Sequence, residues 1–137
     1  PTGCLRLSST VPSKSCPFRS LLLTANIRVT ATTVRVPVFS CHSESINLEF
    51  EKPFDIEEVK EILAAAPGCN LVDDIENSVY PLARDFAGKD EVYVGRVRRD
   101  FSVENGINIW VVADNIRKGA ATNAVQIAEL LLDKIGK

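Results

Sequence analysis

The sequence has no methionine, one histidine and one tryptophan, and no acidic residue precedes Glu44. Each shortage narrows what the chain can be. A chain without methionine that opens on Pro1 is expected to be processed, or a piece of a longer product. No apolar run approaches the ~20 residues of a membrane-spanning helix, so a membrane partner is not expected. Neither a Gly-x-Gly-x-x-Gly turn nor a P-loop is written anywhere; Gly88 and Gly95 stand alone and form no phosphate cradle. The four cysteines, Cys4, Cys16, Cys41 and Cys69, form no Cys-x-x-Cys pair. That removes zinc-ribbon and thioredoxin-like chemistry, and no metal site is expected. The thiols read as free, in a reducing compartment. A formal charge of −2 gives no basic field, so nucleic acid is not an expected partner.

What is present suits one domain with one hydrophobic core: 137 residues, 45% of them hydrophobic. Residues 1–25 differ from the rest. They are rich in serine, carry Arg6, Lys14 and Arg19 without any acid, and show no period of 2 or 3.6. Such a segment suggests a transit-like or disordered leader and is left outside the fold. The expected location is the cytoplasm, or the plastid stroma if the leader is a transit piece.

Ordered patterning starts near Ile27. Ile27, Val29 and Ala31 alternate in one phase and Val34, Val36 and Val38 in the other, which predicts one long bulged strand with Pro37 at an edge. Ile46, Leu48 and Phe50 predict an antiparallel neighbour. Asp55 and Glu58 form a capping-box-like pair ahead of a stripe of Ile56, Val59, Ile62 and Leu63, and Pro67-Gly68 ends that helix. A short strand follows over 69–72, then a polar loop over 73–81. Strands over 91–98 and 107–113 flank a turn at Glu104-Asn105-Gly106. A last helix over 119–135 is apolar around nearly its whole circumference, and the rest of so short a chain supplies too little cover for it. The fold class is α+β, with a mixed or mostly antiparallel sheet and helices on one face.

Few residues suggest chemistry. His42 is the single histidine, and an imidazole suits acid–base work near neutral pH. Cys41 beside it does not make a dyad, because adjacent strand residues point to opposite faces. Arg35 stands in an otherwise apolar run; its planar fork binds a carboxylate in bidentate fashion, or closes a cross-strand ion pair. An odd separation places Arg35 and His42 on opposite strand faces unless a bulge or turn intervenes near Pro37 and Ser40. The segment 113–119 joins a strand to a helix start and forms a weak anion signal. Arg96, Arg98 and Arg99 read as a solvated strand face.

Three blocks go further: VTATTVRVPVFSCHSESINLEFEKP (29–53), KDEVYVGRVRRD (89–100) and INIWVVADNIRKGAATNAVQIAELL (107–131). Together they resemble the C-terminal part of aspartate-semialdehyde dehydrogenases, over about residues 26–135. The resemblance implies a catalytic and dimerisation domain over 26–118, and a helix over 119–137 that packs on a Rossmann domain. It implies reduction of aspartyl-4-phosphate by NADPH to aspartate semialdehyde and phosphate, on the way to lysine, threonine and methionine, in a homodimer. In the family's Arg-x-Pro-Val-x-x-x-His pattern the arginine holds the substrate carboxylate and the histidine moves protons at a cysteine nucleophile; those positions are Arg35 and His42. Asn115 resembles a residue near the nicotinamide end of NADP. The Rossmann glycine turn and the Ser-Asn-Cys-Thr-like cysteine motif are not in this sequence, so the chain by itself is expected to be inactive. A non-catalytic fragment that keeps a dimerisation surface, or a related acyl-phosphate reductase, are the alternatives.

Overall fold

Strands whose residues alternate inward and outward, and one well-capped helix, build most of the architecture. The computed structural model describes residues 4–6 and 29–135. Six strands form one mixed sheet: β1 (Cys4–Arg6), β2 (Thr30–Ala31), β3 (His42–Glu49), β4 (Cys69–Leu71), β5 (Val92–Asp100) and β6 (Gly106–Ala113). Their order across the sheet is β2-β1-β3-β6-β5-β4. The central strands β3, β6 and β5 are antiparallel neighbours. β1 runs parallel to β3 and β4 parallel to β5, while β2 is antiparallel to β1. The helices are α1 (Ile56–Ala65), α2 (Ala83–Phe86) and α3 (Thr122–Ile135), the last entered through a π-helical turn, Arg117–Ala121. This is the expected α+β class.

Two parts of the sheet differ from the sequence reading. Of the long strand expected from Ile27 to Val38, only Thr30–Ala31 pairs; Ile27 lies outside the described residues. Val34, Val36 and Val38 are exposed, and Val38 N–H donates to Val36 O at 2.8 Å. That i→i+2 bond turns the chain locally, and alternation without a partner ladder does not make a strand. The other difference is Cys4–Arg6, which enters the sheet between β2 and β3 although the sequence reading left residues 1–25 outside the fold.

The helix α1 starts where Asp55 predicts. Its carboxylate oxygen accepts from Glu57 N at 2.9 Å and Glu58 N at 3.2 Å, filling two of the amides a helix start leaves open. Val59 and Leu63 then face the sheet, where Val94, Val97 and Ile107 form the buried centre and Leu48, Ile109 and Val111 pack against it. Fully burying such a side chain contributes about 1.5–3 kcal/mol. On the opposite sheet face, Phe86 of α2 stacks on Tyr93 with ring centroids 3.7 Å apart, and the Trp110 indole donates to Pro81 O at 2.9 Å.

A bulge in β5 links these layers. The register passes from Gly95↔Trp110 to Arg98↔Asn108, so Arg96 and Val97 oppose one residue. Arg96 takes a φ of 54°, and the Asp73 carboxylate accepts from the amides of both Arg96 and Val97. Gly95 is required beside it, since a Cβ there would lie 2.2 Å from Val72 O. The three arginines divide accordingly. Arg96 lies over the Tyr80 ring and Arg98 is exposed, as on a solvated face. Arg99 instead crosses to the other side, with its guanidinium 4.4 Å from the Phe54 ring centroid and donating to Phe54 O.

The final helix is as short of cover as its composition implied. Val125, Leu130 and Leu132 keep 58%, 62% and 68% of their surface exposed. Stability therefore rests on the sheet and α1. Ile107→Ala, at 1% exposure, is expected to cost roughly 2–5 kcal/mol, whereas Ile62→Ala on the outer side of α1 stays within about 0.5 kcal/mol. Urea denaturation midpoints at constant slope measure both.

Candidate active site at the end of β3 and β6

The β3–β6 ladder decides where His42 stands. It runs from Glu49↔Gly106 to His42↔Ala113, so the first residue of β3 faces the last residue of β6. The loop that leaves β6, beginning Asp114-Asn115, therefore starts beside His42. Just before β3, Cys41 adopts φ 73°, a left-handed conformation that side-chain-bearing residues seldom take. Its N–H donates to Asn115 Oδ1 at 2.9 Å, joining the segments across 74 positions of sequence.

Cys41 is buried and His42 exposed, so the two side chains diverge as expected. Burial pushes the Cys41 thiol up, and the charge of Asp114 adds to the effect. A thiol held protonated is a poor nucleophile, which fits a packing role.

Asp114 is the residue that sequence reasoning missed. Its side chain is nearly buried, at 6% exposure, yet it is fully engaged: it accepts from Gly88 N at 2.8 Å, Ile116 N at 2.8 Å and Arg117 N at 3.1 Å. These backbone donors, Gly88 first, hold its carboxyl below the usual carboxylate range. The strand-to-helix amides that suggested an anion site thus already have their anion, supplied by the chain itself. Arg117 then pairs with Asp90 at 2.8 Å, and Thr122 Oγ1 donates to the same oxygen at 2.9 Å. Those two bonds, Arg117 first, also lower the Asp90 carboxyl. An acid directly after an apolar strand and before a helix was the available signal.

The three residues singled out from the sequence are not equally joined. His42 and Asn115 stand at one sheet end, linked through the amide of Cys41. Arg35 lies in the extended segment between β2 and β3, exposed, and no described contact ties it to either. Neither the Arg35 nor the His42 side chain has a hydrogen-bond or ion-pair partner among the described residues. An open depression of about 400 Å³ sits elsewhere, lined by Ser45, Tyr80, Leu82, Arg96, Arg98, Ile109 and Trp110. No group of three or more His, Cys, Asp or Glu side chains is placed to hold a metal among the described residues.

Residues 19–118 match the family described as semialdehyde dehydrogenase, dimerisation domain. The chain belongs to that family. It is 55% identical over 114 residues to an aspartate-semialdehyde dehydrogenase of Aquifex aeolicus, covering 83% of this chain and 34% of that protein. The enzyme of the same name from Synechocystis is 51% identical over 116 residues, covering 85% of this chain and 34% of the relative. Among solved structures, aspartate semialdehyde dehydrogenase II from Vibrio cholerae complexed with ASA is 53% identical with a TM-score of 0.67, over 72% of this chain and 29% of that one. The chain thus spans about a third of the length of these curated semialdehyde dehydrogenases. No helix among the described residues is long and apolar enough to cross a membrane.

The depressed carboxyls make this end of the semialdehyde dehydrogenase domain acid-sensitive. A group whose folded value lies below its unfolded one stabilises the fold above the unfolded value and loses that contribution as pH falls toward the folded one. Asp114→Asn is therefore expected to lower the urea midpoint at neutral pH. It should also flatten the loss of stability that the parent chain shows as pH falls from roughly 5 to 3.

Proposed function

We propose that this chain supplies the histidine-and-arginine half of an NADP-dependent aspartate-semialdehyde dehydrogenase. The observation that carries the reading is His42, exposed at the end of β3 beside the Asn115 loop, in a domain about half identical to proteins of that name. In that reading, a small amino-acid carboxylate is held by the Arg35 fork, whose two parallel N–H donors match it. The His42 imidazole accepts the proton from a cysteine thiol supplied outside these residues and returns it when the thiol leaves. The reaction is reduction of aspartyl-4-phosphate to aspartate semialdehyde with release of phosphate, which feeds lysine, threonine and methionine synthesis.

The reduced cofactor, NADPH, would supply the hydride and leave as NADP. Of the residues here, Asn115 fits its nicotinamide end, since a carboxamide can donate through Nδ2 while Oδ1 serves Cys41. No glycine-rich phosphate cradle is written in the 137 residues, so the rest of the cofactor is bound elsewhere. The division into a catalytic and dimerisation unit over 26–118 and a helix over 119–137 belongs to the same proposal. So does a location in the cytoplasm or plastid stroma.

A second reading is a non-catalytic chain that pairs with a copy of itself or with an intact subunit. The match to a dimerisation domain favours it. Native mass measured alone and after mixing with a complete enzyme separates monomer, homodimer and mixed dimer.

Turnover tests the first reading. The 137-residue chain alone, given NADP, phosphate and semialdehyde, is expected to produce no more NADPH than its His42→Ala variant. Joined to the missing part, the parent turns over. There His42→Ala lowers kcat by roughly 10²–10⁴, the usual contribution of a positioned acid–base group. Arg35→Lys mainly raises KM. Unchanged kcat in the joined His42→Ala enzyme removes the histidine from the mechanism.

A further inference from the structure

The loop after β6 holds more than a boundary between strand and helix. We infer that Asn115 is a positioning residue: its carboxamide oxygen, bound to the Cys41 amide, fixes the direction in which His42 leaves the start of β3. The inference rests on the acid–base reading of His42 given above.

Cys41 stands at φ 73° with its side chain buried and no glycine's freedom to take that conformation. A left-handed residue persists only where its surroundings over-determine it, and the bond from Cys41 N to Asn115 Oδ1, at 2.9 Å, is the long-range contact that does so here. The next residue is His42. Releasing Cys41 to an ordinary negative φ rotates the peptide plane that enters β3, and with it the Cα–Cβ bond of His42. Side-chain packing at this end of β3 offers little to resist this, because His42 and Glu44 are both exposed, and the ladder holds His42 only through its terminal pair with Ala113.

The clamp itself is firmly seated. Asp114, the preceding residue, accepts from three backbone amides, at Gly88, Ile116 and Arg117. Gly119 N–H donates back to Asp114 O at 3.0 Å. Asn115 is therefore held on both sides by a carboxylate-centred turn, and its side chain acts from a fixed base. With one lone pair of Oδ1 bound to Cys41, the Nδ2 hydrogens stay open to a ligand, so one side chain can orient the histidine and still donate to a substrate.

The full 137-residue chain offers clean probes, since it contains a single histidine and a single tryptophan. Amide exchange at 15N-labelled cysteine, the His42 imidazole resonances and the Trp110 indole N–H are followed by NMR. In Asn115→Leu, exchange protection of the Cys41 amide is expected to fall roughly tenfold, the factor equivalent to about 1.4 kcal/mol. The His42 ring signals should shift and broaden, while the Trp110 indole, bound to Pro81 O, stays in place. Asn115→Asp keeps an acceptor oxygen and is expected to restore Cys41 protection and the His42 line width. The inference is overturned if the Cys41 amide is unprotected in the parent chain, or if Asn115→Leu leaves the His42 ring signals unchanged. Loss of the Trp110 signal in Asn115→Leu overturns it as well, because Asn115 then holds the fold and not the histidine. These spectra do not depend on turnover, so the positioning role and the acid–base role of His42 can each fail without the other.

Discussion

The antiparallel ladder between β3 and β6 is the constraint on which the site depends. Eight residue pairs, from Glu49↔Gly106 to His42↔Ala113, set the register, and a strand's side chains repeat every two residues. A slip by one position would turn Leu48 away from the buried centre and carry His42 to the other face. The same apolar contacts that stabilise the core, with Ile107 and Ile109 opposite Leu48 and Ile46, therefore also place the imidazole. Core packing thus sets the face of the sheet on which His42 stands.

Around that ladder the chain handles its irregular backbone in one recurring way. At four places where the main chain departs from strand or helix, an acidic or amide side chain takes the freed amides. Asp55 does this at the start of α1, Asp73 at the bulge of β5, Asp114 at the exit of β6, and Asn115 at the left-handed Cys41. Each replaces a lost ladder or helix bond by a local one, so that buried donors are not left unpaired. The consequence is a well-bonded backbone at the sheet end where His42 stands, which suits the proton-transfer role proposed for it.

The exposed parts point the other way. Val34, Val36 and Val38 on the segment before β3 and the apolar faces of α3 remain open to solvent, although their composition is that of buried elements. The chain spans about a third of its curated relatives, and Arg35 lies within that open segment. The arginine and the histidine stand on stretches of unequal support: one seated by a ladder and a clamp, the other on backbone with a single local turn.

The sequence by itself determined the elements whose signals are local. Asp55 capped α1 where its side chain could reach the first amides, Glu104-Asn105-Gly106 marked the turn between β5 and β6, and the three conjoined blocks named the family that residues 19–118 match. It also gave the shortage of cover on the last helix, because an apolar circumference is countable. Tertiary structure alone decided the rest. Alternation over 27–38 could not say that the run would lack a partner strand, since a ladder needs a neighbour that the pattern does not name. Nor could spacing reveal that Asn115 would reach Cys41, or that Asp114 would fill its own anion site. Those contacts join positions up to 74 residues apart, and only the strand order brings them within a hydrogen bond of each other.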